Sequence, residues 1–215
     1  MNWVSFLKRL PSLYFGLFLF ALGAVMMLYA DLGLSSWGVF QYGLMNTIGL
    51  TFGQASQLVG LGVLLLGWIL GFPPGFGTVM NMFFIGYFID RIMEWWAAPS
   101  YGNLVLQLAL LIGGMAMIGI ASFFYLSPKL GAGPRDGLMI GLVRKLNRPV
   151  GQVRGAIEVT VTVLGYLMGG PVGIGTVIAA FSVGYFVQLA FNLGKYDRNA
   201  KHMDFPDLAK YLVGK

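Results

Sequence analysis

The sequence predicts an all-α, polytopic membrane protein made of two inverted repeats, each with three transmembrane helices and one short re-entrant or half-helix. Four observations predict it. The chain is 57% hydrophobic and only 10% charged, with a mean hydropathy of +0.76, whereas soluble domains carry about 25% charged residues. Several apolar runs reach the roughly 18 residues that read as membrane spans. The chain also repeats itself: Pro73, Gly75, Gly77, Thr78 and Val79 return as Pro171, Gly173, Gly175, Thr176 and Val177, an offset of 98 residues (Pro73 to Pro171). Without a gap, that offset maps Leu32-Gly33 onto Leu130-Gly131, Gly53-Gln54 onto Gly151-Gln152 and Gly86-Tyr87-Phe88 onto Gly184-Tyr185-Phe186. Duplication within a very apolar chain is the signature of many secondary transporters. Finally, one segment in each copy is too short to span, and the copies differ in where their basic residues lie.

Span by span, the first copy (1–98) opens with an apolar run over Pro11–Ala30. Lys8 and Arg9 before it imitate a signal peptide, but the run is long and its counterpart is internal, so it reads as a retained span. A short Gly-rich segment, Ser35–Leu50, follows, then spans over Gly53–Phe72 and Gly77–Trp96, the latter ending in an interfacial Trp95-Trp96 pair. Residues 99–103 form the linker. The second copy (104–193) repeats the order: a span over Leu104–Ser127, a short segment Gly133–Asn147, and spans over Val150–Met168 and Ile174–Leu193. The tail, 194–215, mixes Lys, Arg and Asp with Phe205, Leu208, Tyr211 and Leu212, the makings of a short interfacial helix.

The second short segment has an apolar core of only Gly137–Val143 between Arg135-Asp136 and Arg144-Lys145. Seven residues rise roughly 10 Å, against about 30 Å of hydrocarbon. If the short segments do not cross, each copy crosses three times and the copies are inverted. Residues 31–56 contain no Lys or Arg, while the matching stretch holds Lys129, Arg135, Arg144, Lys145, Arg148 and Arg154. The positive-inside rule then places both termini and the second copy's basic loop in the cytoplasm. Eight crossings with parallel copies is the alternative, and charge counting alone separates the two weakly.

The paired P-x-G-x-G-T-V turns (Pro73, Gly75, Gly77; Pro171, Gly173, Gly175) each start a helix, whose free N–H groups and positive dipole end suit an anion. Thr78 and Thr176 are placed to cap those helices or touch a ligand. The alternative is tight packing through glycine. Gly67-x-x-x-Gly71 and Gly165-x-x-x-Gly169 read as small-residue packing motifs, within the chain or across a homodimer. Glu158 lies eight residues into its span, where a carboxylate is costly and functional by default. It matches Gly60 in the first copy, and its expected roles are cation binding or proton coupling, against an ion pair with Arg154 on the same helix face. Arg135 and Asp136 open the second short segment, where Arg135 clamps an anion or anchors at the headgroups. Asn46 and Asn81 line a polar path or bond between helices. Asp90 faces a polar interior or pairs with Arg91.

The composition excludes several classes. With no Cys and one His, His202 in the polar tail, there are no disulfides, no thiol catalysis and no metal-ligand spacing. No catalytic set, Walker-type loop or dinucleotide fingerprint is present, so neither an enzyme nor a cofactor is expected. The net charge of +6 flanks apolar segments and points to topology, not nucleic acid. The expected partners are the lipid bilayer and a small solute.

The Leu-Gly-x-Gly-Pro-x-Asp phrase (Leu130 to Asp136), the Gly151-Gln152 step and the Pro171-x-Gly-Ile-Gly-Thr turn together resemble the YczE/YyaS/YitT group of bacterial integral membrane proteins. The first copy departs from the phrase, with Ser35-Ser36-Trp37 where Gly133-Pro134-Arg135 stand in the second. The resemblance implies a protein of the bacterial inner membrane and little chemistry. The expected function is secondary transport of a small polar or charged solute, proton-coupled through Glu158; the alternative is a non-transporting membrane partner supporting another enzyme or assembly.

Overall fold

The computed structural model describes residues 3–98, 103–197 and 202–213, and these are helical almost throughout. The linker at 99–103 lies outside the described residues except for Asn103. The helices are α1 (Trp3–Tyr29), α2 (Ser36–Ile48), α3 (Phe52–Ile69), α4 (Phe76–Trp95), α5 (Leu104–Leu126), α6 (Pro134–Leu146), α7 (Val150–Leu167), α8 (Ile174–Leu193) and α9 (Phe205–Val213). Four of them, α1, α3, α5 and α8, are long and apolar enough to cross a membrane. The equally long α4 carries Asp90, Arg91 and Glu94, and α7 carries Arg154 and Glu158, which lowers their hydropathy. At 13 residues each, α2 and α6 rise about 20 Å and fall short of a 30 Å hydrocarbon core.

Local chemistry sets the helix ends. Ser35 accepts from Gly38 N–H at the start of α2, and Thr51 with Gln54 forms a capping box for α3. Pro134 stands in the first turn of α6, where its missing N–H costs nothing. The turn geometry repeats with the sequence. Positive φ occurs at Asp31 and Lys129 (52° and 57°), Gly33 and Gly131 (102° and 138°), Gly49 and Asn147 (70° and 48°) and Gly71 and Gly169 (86° each). Each pair is separated by the same 98 residues, so the duplication extends to backbone conformation. One expectation shifts: the first span starts at Trp3, not Pro11. Pro11 is carried inside the helix, held by Phe6 on Phe76 (5.4 Å between ring centroids) and by Ser12 Oγ donating to Phe124 O (2.8 Å).

Packing follows the offset as well. The core is the α1–α5 pair, running antiparallel: Gly16 lies on Tyr125 and Gly114 on Met27, contacts that the offset exchanges. α4 lies beside α1 and parallel to it, through Tyr14–Phe84 and Phe18–Phe88 edge contacts at 4.9 and 5.7 Å. α8 lies likewise along α5, with Phe186 on Gly119. The short helices cross between copies: α2 packs on α7 through Gly165 against Phe40, and α6 on α3 through Gly67 against Leu138. The first glycine of each small-residue motif therefore packs helices within the chain, while Gly71 and Gly169 take positive φ in the turns that follow.

The equivalence fails at one place. α3 and α4 pack along their length, and a Cβ on either Gly53 or Gly86 would overlap the other's carbonyl. Their counterparts Gly151 and Gly184 have nothing within 4 Å of a Cβ position. α7 and α8 are splayed apart, joined through their turn.

The tail is more than an interfacial helix. Its Leu208, Tyr211 and Leu212, spaced three and four apart, turn onto the protein. Met203 N–H donates to Lys129 O (2.9 Å), Phe205 N–H to Pro74 O (3.2 Å), and the Arg9 guanidinium lies 5.2 Å from the centre of the Tyr211 ring. The segment covers the 73–77 turn. No such segment covers the 171–175 turn among the described residues.

Candidate functional site

A central cavity of about 410 Å³ takes side chains from all eight helices of the two copies. That lies within the ~300–1,000 Å³ typical of small-molecule sites. Its walls are mainly apolar, with Phe20, Val59, Ile118 and Val183 among them. Into this wall project two Arg and two carboxylates, Arg135, Arg154, Asp136 and Glu158, so the charges sum to zero.

Both short helices begin at the cavity: Ser35, Ser36 and Trp37 of one and Gly133, Pro134 and Arg135 of the other line it. Their positive ends thus meet there. Trp37 and Arg135 occupy equivalent positions in the two copies, and they touch. The guanidinium carbon lies 4.7 Å from the centre of the indole ring, a cation–π contact. Asp136 folds back over the α6 start, its Oδ2 accepting from Gly133 N–H (3.2 Å). Glu158 is paired with Arg154 Nε at 3.0 Å on the next turn of α7. Gln41 donates to Ser56 Oγ (3.2 Å), and Ser122 Oγ donates to Ile118 O (2.8 Å). Tyr125 is only 5% exposed, and its hydroxyl has no hydrogen-bond partner.

Of the residues singled out from sequence, Glu158, Arg135, Asp136 and Asn81 line this cavity. Asn46 lies on the outer side of α2, near Gly169. Thr78, Thr176 and the helix-start turns stand elsewhere, with their polar groups engaged by the protein. Gly75 N–H donates to Thr78 Oγ1 (3.0 Å), and Gly173 N–H to Thr176 Oγ1 (3.2 Å). Gly77 N–H donates to Leu130 O and Gly175 N–H to Leu32 O, both at 2.7 Å. Each turn is thus seated on the Leu-Gly step of the opposite copy. Asp90 closes the α3–α4 end, where Thr51 Oγ1 donates to Oδ2 (2.6 Å) and Gly53 N–H to Oδ1 (2.9 Å), while Arg91 pairs with Glu94 instead (2.6 Å).

Sequence reasoning passed over Trp37, Tyr125 and Ser122 as site residues. Trp37 had a usable signal, since the offset aligns it with Arg135. Tyr125 and Ser122 sit among apolar residues near a span's end, where nothing distinguishes them from interfacial residues.

The two sides of the cavity differ in packing. Arg154, Glu158, Gly184 and Phe191 line it from the facing sides of α7 and α8. The equivalent α3–α4 side is shut by the Gly53–Gly86 contact and by Asp90.

A family model described as a family of unknown function (DUF6198) matches residues 7–192. The chain is 32% identical over 191 residues to an uncharacterized protein of Haemophilus influenzae, covering 89% of this chain and 87% of the relative. It is 34% identical over 193 residues to the uncharacterized membrane protein YczE of Bacillus subtilis, covering 88% and 85%. A third relative, the uncharacterized protein YyaS of Bacillus subtilis, is 28% identical over 166 residues, covering 76% and 82%. No solved structure matches.

Proposed function

The chain belongs to the DUF6198 family of membrane proteins related to YczE and YyaS, and from that premise we propose that it is a secondary transporter of a small polar or charged solute. The observation that carries the reading is the central cavity, charged yet neutral in sum, built by both copies and approached between α7 and α8 while the equivalent α3–α4 side is shut. Transporters with internal repeats place their solute at the repeat interface, between broken or shortened helices whose N-termini point at it.

In this proposal the copies are inverted repeats of three spans and one half-helix. The antiparallel α1 and α5 and the exchanged α2–α7 and α6–α3 contacts support it. The basic loop Arg144 to Arg148 and the N-terminus then lie in the cytoplasm, with the chain in the bacterial cytoplasmic membrane. In the proposed cycle this arrangement serves as the inward-open state. The opposite state closes α7 on α8 at Gly151 and Gly184 and releases α4 from α3 at Asp90. Glu158 is the coupling group: α7 cannot close on α8 with a lone carboxylate between them, so its charge is cancelled by Arg154, by solute or by a proton.

The native chain has no Cys, so accessibility tests are clean. Ala180→Cys places a thiol in the cavity wall. Alternating access predicts its alkylation by impermeant reagents from each face in turn, in vesicles of both orientations; labelling from one face only would refute transport and favour the membrane-partner reading. Pro73→Cys should label only from the cytoplasmic side and Ile174→Cys only from the outer side; labelling of both from one side would establish parallel copies. Glu158→Gln should uncouple solute flux from proton flux in liposomes without loss of folding.

A further inference from the structure

Arg135 is an unusual cation. It sits at the start of a helix, where its charge opposes the dipole, in an apolar-walled cavity. The carboxylates whose fields reach it are Asp136 and Glu158, and neither lies within 4.0 Å of it. Glu158 is already paired with Arg154. What holds Arg135 is the face of Trp37. With no carboxylate in ion-pair range, the guanidinium keeps N–H donors for a ligand, and its fork matches a carboxylate bidentately.

The neighbouring group points the same way. Tyr125 is 5% exposed, lines the same cavity, and its hydroxyl is unpartnered. Buried hydroxyls without a partner are rare and costly, and this one stands beside Asp136, the hydroxyl and Oδ2 each 3.2 Å from the Cβ position of Gly133, so both oxygens suit a donor. Asp136 Oδ2 is engaged by Gly133 N–H, which leaves acceptor capacity on that carboxylate toward the cavity. Cation and anion therefore face one space without pairing with each other. A carboxylate alone would leave Asp136 unanswered, and an amine alone would leave Arg135 so. The remaining walls, with Phe20, Val59, Ile118 and Val183, are apolar.

The geometry points to a zwitterionic amphiphile, an amino acid with an apolar side chain, as the ligand of this cavity. Its carboxylate lies on Arg135, its ammonium on Asp136 and the Tyr125 hydroxyl oxygen, and its side chain against the apolar wall. The inference rests on the transport reading for the cavity's role, but binding can be measured without transport.

The test uses three probes on the purified full chain: L-leucine, isocaproate (leucine without its amine) and isopentylamine (leucine without its carboxylate). The readout is protection of the Ala180→Cys thiol from alkylation, with thermal stabilisation in detergent as a second measure. Leucine should protect at concentrations at least tenfold below either half-molecule. Tyr125→Phe should weaken leucine about tenfold, and Arg135→Gln should abolish protection. Arg135→Lys, which keeps charge but loses the fork, should fall between them and guards against a folding defect. Equal protection by leucine and isocaproate, or no protection by any probe, would overturn the zwitterion site. If the thiol is still reached from both faces in that case, transport stands and only the ligand class falls. If leucine protects a thiol reached from one face only, the site stands and transport falls.

Discussion

Trp37 and Arg135 show what one aligned position can do when its copies diverge. The same backbone site carries an indole in one copy and a guanidinium in the other, and the fold sets the guanidinium carbon over the indole ring at 4.7 Å. The alignment was visible in the sequence, but the contact was not, because it depends on where the two copies meet. Glu158 is the converse. Its mid-span carboxylate marked it from sequence alone, and so did its i,i+4 partner Arg154, which pairs with it as spacing allows. His202 was legible only as a tail residue. Its Nε2 lies 3.1 Å from the Tyr196 hydroxyl, and burial, with the Lys129 charge close by, holds its pKa below the ordinary 6.5. Protonation therefore disfavours the docked tail. Docking should be strongest above about pH 6.5 and weaken as pH falls from there toward the lowered pKa of the docked state, because the undocked imidazole binds the proton more readily. Hydrogen exchange of residues 202–213 should accelerate between neutral and mildly acidic pH, and His202→Phe should remove that dependence.

At the scale of elements, hydrophobic length and Gly/Pro punctuation located α1 to α8, apart from the start of α1, because a membrane span must satisfy its own backbone and so ends where turn residues permit. The brevity of α2 and α6 was legible too. The splay of α7 from α8 was not. Gly53 and Gly86 are matched one for one by Gly151 and Gly184, so composition assigns both pairs the same close crossing, yet only the first is made. Under the transport proposal, the second crossing belongs to the other state of the cycle. This yields a pair of opposed expectations. Gly86→Val forces a side chain into the Gly53 carbonyl and should lower thermal stability by about 1–3 kcal/mol, the usual cost of overpacking. Gly184→Val enters open space and should change stability by no more than about 0.5 kcal/mol. If α7 closes on α8 during the cycle, Gly184→Val nonetheless arrests flux in liposomes; undiminished flux would remove that closure from the mechanism.

For the whole molecule, each half is incomplete without the other. The first copy's turn is seated on Leu130 and the second copy's on Leu32, by two bonds of the same 2.7 Å length. α6 fills the groove of α3, and α2 that of α7. This interlacing was not written in either half's hydropathy, since it arises only when both are present. During synthesis the first half emerges before the segment that receives its turn, so Gly77 N–H has no Leu130 carbonyl to meet until the second half is made. A gene cut between the codons for Ala98 and Asn103 should therefore yield two polypeptides that are each degraded when made alone and that co-purify when made together. Were either stable by itself, the halves would be separate domains. Two such separately made halves, each needing the other, describe a heterodimer, and the fused chain is that heterodimer with its stoichiometry fixed at one to one.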